Sequence, residues 1–473
     1  MHEMNERQMA NDEAAPIQQN VCPAGRRHFM GWKRFAAGTL AVLMLASTPL
    51  TGFAADNDGW TEGKTQIQGT GNGTWTEWVK DWETVKNNYE QLSITPGADE
   101  TELNFAWYSE NTATTPKVMI SLNREMTNAK TFRGARTKAI DGYVSNKVTV
   151  RDLEAGKTYY YQYSTKKDGK EELSPVAEYK TQQTGNFSFL YVGDPQIGSS
   201  EGNIASGETT EQGQDKAVRN DSYNWSNTLN RALEKNSNPS FVISAGDQIQ
   251  SRDKKNPGEE YTKNEIEYAG YLSPNALKSL AVATTVGNHD APSPNYSYHF
   301  NNPNASSLGA TEGTKNGDYY FSYGDSLFIM LNTNNYNISE HKKLINQAIA
   351  SHKDAAWKIV TLHQDIYGSG EHSNEPEIVN LRYNLIPVFE DADIDVVLTG
   401  HDHTYTRSYI MKGASKDNKV LLDDDTFGDE FEKQLEGKET TQAYKNYLQT
   451  IMDKENVEST ANKALNPEGI LYM

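Results

Sequence analysis

Apolar and polar residues alternate at every second position over two early stretches, 101–108 (TELNFAWY) and 117–122 (KVMISL). Residues 148–164 (VTVRDLEAGKTYYYQYS) add two more extended stretches, which are joined by a turn that contains glycine. Alternation of this kind is typical of β-strands with one buried face. About seven short strands within residues 90–183 predict a small all-β sandwich.

After residue 184 the pattern changes to short apolar runs, at 187–193, 241–246, 280–287, 326–332, 357–362 and 394–400. Between some of them, residues 217–235 and 339–355 place apolar side chains on one face of a helix. Buried strands that alternate with helices predict an α/β domain over residues 184–473, with layered β-sheets flanked by helices. The acidic stretch 414–466 is interpreted as an insertion, and the apolar run at the end of the chain as the sign of a truncated domain.

The N-terminal 55 residues have the order of an export signal. Basic residues precede the apolar run 35–50, and small residues follow it up to Ala54 and Ala55. This order predicts a signal peptide over residues 1–55 and a secreted or extracytoplasmic protein with no membrane span after cleavage. An uncleaved anchor is the alternative, and a start at Met30 or a twin-arginine route stays open. Residues 56–89, rich in Gly, Thr and Trp, are interpreted as a lead-in segment.

Composition limits the partners of the protein. The 473 residues include 45 Lys+Arg and 64 Asp+Glu, which give a formal net charge of −19, and a single cysteine. A single cysteine excludes an internal disulfide framework and a cysteine-based zinc site. The acidic balance argues against nucleic-acid partners, which need clustered basic residues. A small phosphorylated substrate remains compatible if bound metal supplies positive charge.

Five of the predicted α/β strands run directly into polar side chains suited to metal binding. These side chains are Asp194, Asp247, Asn288, His289, Asp290, His363, His401 and His403. Ligands in α/β proteins gather beyond the carboxyl ends of the strands, and a glycine before the polar residues lets four of these five turn sharply.

Carboxylate, amide and imidazole donors suit Zn, Mn or Fe, and their number exceeds the needs of one four-coordinate ion. Taken singly, each residue is more often a turn residue or a structural histidine. Their joint occurrence predicts a two-metal site of the kind that catalyses phosphoryl transfer, with Asp247 as a bridge between the ions.

The sequences GDPQ, GDQIQ, GNHD, LHQD and GHDHTYTR, in that order, resemble the five blocks of calcineurin-like metallophosphoesterases. Within that superfamily the chain is most similar to purple acid phosphatases, and its β-sandwich resembles their fibronectin type III-like N-terminal domain. The resemblance implies one metal held by Asp194, Asp247 and His403. It implies a second metal, held by Asp247 together with Asn288, His363 and His401.

The resemblance also implies residues that face the substrate. His289 would contact a phosphate oxygen or the leaving group, with Asp290 orienting its ring, and His372 matches a second substrate-facing histidine. Tyr405 and Arg407 belong to the last block and are candidates for substrate contact. Three other histidines lie outside the blocks: His341 and His352 are predicted to be solvated, and His299 to be a possible cleft residue.

Two departures from the family change the predicted metals. Gln250 stands where purple acid phosphatases have a tyrosine, and Gln196 where many superfamily members have a histidine. Both glutamines are candidates for additional metal or substrate contacts. Without an anionic phenolate a trivalent ion is less well stabilised, so we expect two divalent ions and no ferric-tyrosinate centre.

The predicted function is therefore that of an exported acid phosphatase-like enzyme. It would hydrolyse phosphate monoesters by attack of a hydroxide activated by two metal ions, with His289 or His372 as general acid. One alternative is a phosphodiesterase or nucleotidase with the same site. The other is an exported binding module with a degenerate metal site.

Overall fold

The computed structural model describes residues 73–473, apart from 112–113, 141, 168, 201–209, 251–261, 414–421, 454–455 and 459–463. The predicted signal peptide and the first half of the lead-in segment, residues 56–72, lie outside the described residues. No helix within the described ranges has both the length and the apolar character needed to cross a membrane.

The N-terminal region from residue 93 to residue 180 is all-β, as predicted. Its strands are β1 (Ser93–Pro96), β2 (Leu103–Glu110), β3 (Lys117–Ser121), β4 (Lys130–Arg133), β5 (Ala135–Lys138), β6 (Tyr143–Val150), β7 (Thr158–Lys167), β8 (Lys170–Leu173) and β9 (Ala177–Lys180). They form antiparallel sheets in the orders β1-β2-β6-β5 and β4-β3-β7-β8, and β9 also pairs with β7.

The two sheets of the sandwich pack through aromatic side chains. Phe105 of β2 meets Tyr161 of β7 with ring centroids 5.2 Å apart, and Trp107 meets Tyr163 at 5.0 Å. Phe105, Trp107 and Tyr161 are fully buried. Inward-facing residues at every second position therefore supply this core, as the alternation in the sequence predicts.

The C-terminal region contains two further sheets. Its strands are β10 (Leu190–Val192), β11 (Val242–Ser244), β12 (Val282–Thr284), β13 (Tyr319–Tyr323), β14 (Ser326–Met330), β15 (Trp357–Thr361), β16 (Val396–Leu398), β17 (Ile410–Met411), β18 (Asn456–Glu458) and β19 (Ile470–Tyr472). Strands β10, β11 and β12 form a parallel sheet. The second sheet has the order β13-β14-β15-β16-β19-β17-β18, and its segment β14-β15-β16-β19 is parallel.

Helices pack on the outer faces of both sheets and on one another. They are α1 (Trp75–Val85), α2 (Thr210–Lys235), α3 (Thr262–Leu272), α4 (Asn295–His299), α5 (Ile338–Ser351), α6 (Pro376–Asp391), α7 (Asp424–Leu435) and α8 (Gln442–Thr450), with 3-10 turns at Asn275–Lys278 and His372–Asn374. In β14, Phe328 and Met330 face the other sheet, whereas Leu327 and Ile329 pack under the helices. Both faces of the strand are thus buried, which explains its continuous apolar sequence.

The sandwich is fastened to the α/β region by polar contacts. The Lys147 ammonium of β6 donates to the carbonyls of Ser297 (2.7 Å) and Phe300 (2.6 Å) at the end of α4. The Tyr108 hydroxyl donates to the buried carboxylate of Glu265 at 2.9 Å. These contacts hold α3 and α4, the helices around the third predicted metal-binding loop, against the sandwich.

Several elements differ from the sequence predictions. Helix α1 lies within the predicted lead-in segment, and helix α2 begins at Thr210 rather than at residue 217. The run at the end of the chain forms strand β19, which lies between β16 and β17. His341 is fully buried rather than solvated, because its Nδ1 bonds the buried Asp318 carboxylate at 2.7 Å.

Candidate metal centre

The carboxyl ends of parallel strands in both sheets bring the predicted ligands together. Asp194 and Asp247 follow β10 and β11, and Asn288 follows β12. His363 follows β15, and His401 follows β16 in the second sheet. The two sheets are joined directly at this edge, since the His401 amide donates to Asp194 Oδ2 at 2.8 Å.

Three of these side chains form the centre of the cluster. Asp247, His363 and His401 each offer a ligand atom, and the three atoms lie within 4.8 Å of one another. Asp247 Oδ2 is 3.3 Å from His363 Nε2, which is 2.8 Å from Asn288 Oδ1. Donors that share a cation, each about 2.1 Å from it, lie roughly 3–4 Å apart, so this spacing fits a metal ion.

His363 is oriented for metal binding by its other ring nitrogen. Its Nδ1 donates to the Ala245 carbonyl at 2.8 Å, which directs Nε2 at Asp247 and Asn288. Metal-binding histidines in proteins are commonly fixed in this way. Burial would lower the pKa of His363, but the charge of Asp247 raises it to about 9, so a bound metal would replace the proton on Nε2.

Asp194 and His403 lie beside this cluster. His403 Nε2 is 3.7 Å from Asp194 Oδ1, and that buried carboxylate oxygen has no hydrogen-bond donor in the described part of the chain. A buried carboxylate oxygen without a donor is costly unless a cation binds it. The donor set therefore fits a metal at this position as well.

The backbone is strained where the ligands are presented. Non-glycine residues with positive φ include Asp194 (50°), Asp247 (49°), His401 (71°) and His403 (52°), together with Gln196 (41°). Each such conformation costs an L-residue of order 1–3 kcal/mol and persists only when the surroundings enforce it. Such residues cluster at functional sites, and here they lie in the loops that carry the predicted ligands.

Two glycines make room for the ligands. A Cβ atom at Gly246, where φ is +98°, would lie 2.3 Å from His363 Nδ1. One at Gly287 would lie 2.0 Å from Asp247 Oδ1. The structure thus refines the sequence interpretation, because at Gly287 the requirement is space and not an unusual turn.

Burial and neighbouring charges shift the pKa values of the side chains in the cluster. Burial raises the pKa of Asp194 to about 7, against the opposing effect of His363. Burial alone would raise the pKa of Asp247 too, but the neighbouring His363 and His289 hold it well below its usual range. Burial and the charge of His363 lower the pKa of His401 to about 2, so its ring is neutral, which is the form that binds metals.

His289 lies next to the cluster but is held differently from the arrangement the resemblance implies. Its Nδ1 donates to the Gln250 carbonyl, and its Nε2 is 3.0 Å from the Gln196 amide nitrogen and 3.8 Å from Asp247 Oδ2. Both glutamines thus contact His289, Gln196 through its side chain and Gln250 through its backbone.

The carboxylate of Asp290 holds backbone rather than the ring of His289. It accepts from the amides of Gly287 (3.0 Å) and Gln248 (3.3 Å) and from the Tyr268 hydroxyl (3.0 Å). Both of its oxygens are engaged by these donors, so Asp290 stabilises the loops that carry Asp247 and His289. Burial, reinforced by the charge of Asp247, raises the pKa of Asp290 to about 8.

His372 lies at the edge of the site. Its ring packs on the ring of His401 with centroids 4.5 Å apart, and its Nδ1 is 2.8 Å from Glu375 Oε1. Burial would lower the pKa of His372, but the bond to Glu375 and the charges nearby raise it above its ordinary value.

The remaining candidates lie elsewhere. Tyr405 is 78% exposed, Arg407 is exposed too, and within the described ranges neither bonds a predicted ligand. His299 is buried between Tyr108 and Tyr268 and bonds Glu265 at 2.8 Å, so it belongs to the junction with the sandwich.

Sequence reasoning does not single out Asp402, between His401 and His403, although its carboxylate organises the loop of His372. It accepts from the amides of Gly370 and His372, both at 2.9 Å. The sequence shows an acidic residue between two histidines, but the groups that it bonds lie some 30 residues away in the chain.

The carboxylate, amide and imidazole donors at the carboxyl ends of strands in the two packed sheets thus form a candidate metal-binding site. Comparisons with known families agree. Residues 187–405 match the calcineurin-like phosphoesterase family, and residues 89–181 match the purple acid phosphatase N-terminal domain. The chain therefore contains a calcineurin-like phosphoesterase domain that is preceded by a purple acid phosphatase N-terminal domain, and the phosphoesterase family implies a dinuclear metal centre.

Individual relatives are distant. Two uncharacterized proteins of Mycobacterium tuberculosis, from strains CDC 1551 and H37Rv, are each 26% identical over 98 residues, which span 20% of this chain and 18% of each relative. A solved structure, purple acid phosphatase PPD1 from yellow lupin (Lupinus luteus) seeds, matches with a TM-score of 0.49 and 16% identity. That match covers 70% of this chain and 61% of the lupin chain.

Proposed function

We propose that the protein is an exported phosphatase that hydrolyses phosphate monoesters with two divalent metal ions. The observation that carries this proposal is the convergence of Asp247, His363 and His401 within 4.8 Å at the joined edges of two sheets. These side chains come from three different strand ends, so chain connectivity alone does not explain their proximity. Fixed donors of this kind are what a metal-dependent phosphoryl transfer requires.

The proposed ligands divide into two sets that share one carboxylate. Asp194, Asp247 and His403 would hold one ion, and Asp247 would hold the other together with Asn288, His363 and His401. Zn, Mn and Fe in the divalent state suit these donors. When bound, the two ions lower the pKa of water and neutralise the charge of the phosphate. A chain with a net charge of −19 needs such a source of positive charge at a phosphate site.

Two histidines complete the proposed site. His289 has its Nδ1 occupied by the Gln250 carbonyl, and its Nε2 faces Asp247 and bonds the Gln196 amide at 3.0 Å. A phosphate oxygen would have to replace Gln196 at a protonated Nε2 to bond His289. His372 uses Nδ1 for Glu375, which leaves its Nε2 to face the substrate or to protonate the leaving alcohol.

Alanine variants of Asp247 and His401 test the site. Each removes a proposed ligand, so turnover of p-nitrophenyl phosphate by the metal-loaded protein should be abolished. His352→Ala is the matched control, because this histidine bonds the Ala348 carbonyl and Ser351 and packs on Tyr320, away from the proposed ligands, so turnover should be unchanged. Turnover that survives both ligand variants would contradict the proposal.

Substrate class and location need separate measurements. Under the same metal conditions, p-nitrophenyl phosphate should turn over faster than its bis-ester; faster turnover of the diester would assign a phosphodiesterase instead. We also propose that the sandwich is fibronectin type III-like and that export removes residues 1–55. Mass spectrometry of the mature protein should then find an N-terminus next to Ala54 or Ala55, and a retained leader would contradict export by cleavage.

A further inference from the structure

The carboxylate of Asp402, which lies between the proposed metal ligands His401 and His403, holds the loop formed by residues 365–374. Asp402 is 8% exposed and follows His401 directly. Its Oδ1 accepts from the His372 amide at 2.9 Å, and its Oδ2 accepts from the Gly370 amide at 2.9 Å and from the Ser373 hydroxyl. Three donors on one short segment thus converge on a single side chain.

The loop approaches Asp402 as closely as glycine permits. A Cβ atom at Gly370 would lie 2.7 Å from Asp402 Cγ, and one at Gly368 would lie 2.4 Å from Asp402 Oδ2. Neither distance is compatible with a larger residue in the same backbone position. Gly370 thus fits the loop to this carboxylate, whereas Gly368 also makes room for Asp365 and Ser373, each with a side-chain oxygen 2.2 Å from its Cβ position.

A buried arginine holds the same loop from its other side. Arg382 of α6 is 3% exposed and donates to the carbonyls of Ile366 and Ser373, near the two ends of the loop. A third bond, at 3.1 Å, reaches the Ile451 carbonyl at the end of α8. The backbone of the loop is thus fixed at both ends, and Asp402 fixes its centre.

The consequence concerns His372, whose ring lies 4.5 Å from the ring of His401. We propose that Asp402 is a positioning residue that holds His372 at a set distance from the metal ligands and so aligns it with bound substrate. This inference rests on the proposed function, since it needs a phosphate ester at the metal centre.

We expect the loss of activity on replacing Asp402 to depend on the leaving group of the substrate. Asp402→Ala releases three donors and lets His372 move, and a displacement of about 1 Å can cost about 100-fold in rate. We expect kcat for an alkyl phosphate to fall about 100-fold, because its leaving alcohol needs a proton. The kcat for p-nitrophenyl phosphate should fall far less, since p-nitrophenolate leaves without one. Asp402→Asn keeps an acceptor for the His372 amide and should recover part of the alkyl phosphate activity.

A double-mutant cycle tests whether Asp402 acts through His372. Asp402→Ala, His372→Ala and the double variant are compared on both esters, with the metal content of each measured. The double variant should be within about twofold of His372→Ala, because positioning has no effect once the positioned group is gone. If Asp402→Ala does not fold, Ser373→Ala removes one of the three donors and should show the same non-additivity.

Additive losses, or loss of metal from Asp402→Ala, would overturn the inference, since Asp402 would then act on the ligands and not through His372. These outcomes leave the proposed function intact if the wild-type protein is active. A wild-type protein that hydrolyses neither ester would overturn the proposed function, and this inference with it.

Discussion

Replacing Gly246 with alanine tests how tightly the metal centre is built. The new Cβ would lie 2.3 Å from His363 Nδ1, where ordinary contact begins at 3.4 Å, so the ring must shift by 3.4 − 2.3 = 1.1 Å. That shift breaks the bond from Nδ1 to the Ala245 carbonyl and moves Nε2 away from Asp247.

The cost of this change has two parts. A positive φ costs an L-residue about 1–2 kcal/mol, and an extra methyl group in a packed interior costs about 1–3 kcal/mol. We therefore expect the free energy of unfolding of the metal-free protein to fall by about 2–5 kcal/mol. Because His363 is displaced by about 1 Å, we expect phosphatase activity to fall about 100-fold.

Gly142→Ala is the matched control, because Gly142 also has a positive φ (+81°) but no atom of the other described residues lies within 4 Å of its Cβ position. The free energy of unfolding of Gly142→Ala should fall only by the cost of the positive φ, about 1–2 kcal/mol, and its activity should not change. Urea unfolding of the metal-free proteins and turnover of p-nitrophenyl phosphate by the metal-loaded ones separate the two effects. Equal losses of stability and of activity in both variants would refute the steric argument.

Three further predictions follow from other parts of the structure. Burial lowers the pKa of Lys147 from 10.5 to about 8, so between pH 8 and 10.5 the unfolded chain binds a proton that the folded chain does not. Over that pH range, the free energy of unfolding of the wild type in urea should therefore rise by about 3 kcal/mol relative to Lys147→Met. A difference that stays constant with pH would contradict this. His341→Ala leaves the buried Asp318 without its ion-pair partner and should lower the free energy of unfolding by about 3–5 kcal/mol. The control His352→Ala, at a partly exposed position, should lower it by less than about 1 kcal/mol. Equal losses of stability would refute a buried ion pair. With Gln250 in place of a tyrosine, the metal-loaded protein should be colourless, and a visible band of the ferric-tyrosinate type would contradict the expected divalent ions.

Strand ends were predictable because they depend on local sequence. An apolar run followed by glycine and a polar residue indicates where a buried strand stops, and parallel strands bring their carboxyl ends to one edge. The observed strands are shorter than the apolar runs; β11, for example, is Val242–Ser244 within 241–246. The residues after each strand leave the sheet and carry the proposed ligands, which accounts for the shorter strands.

Contacts between distant segments were not predictable in the same way. The burial of His341 depends on Asp318, and the role of Asp402 depends on a loop about 30 residues earlier. Neither contact can be predicted from the periodic pattern of apolar residues in the sequence. Positive φ at Asp194 and Asp247 is likewise imposed by the surroundings, since aspartate seldom adopts that conformation unaided.

Helix α1 differs from these cases, because its start carries a local sequence signal. Thr74 and Glu77 form a capping box, in which the Glu77 amide donates to Thr74 Oγ1 at 3.4 Å and the Thr74 amide donates to Glu77 Oε2 at 3.1 Å. The spacing T-x-x-E is a known sign of a helix start. The glycine and threonine content of the segment obscured it.

The central claim is that this site hydrolyses phosphate esters with two bound metal ions. The most direct measurement is to strip the protein with a chelator and then record phosphate release from p-nitrophenyl phosphate as Zn, Mn or divalent Fe is titrated back. We expect no activity in the stripped protein and a rise that saturates near two ions per chain with at least one of these metals. Activity that persists without metal, or none with any of the three metals at any ratio, would contradict it.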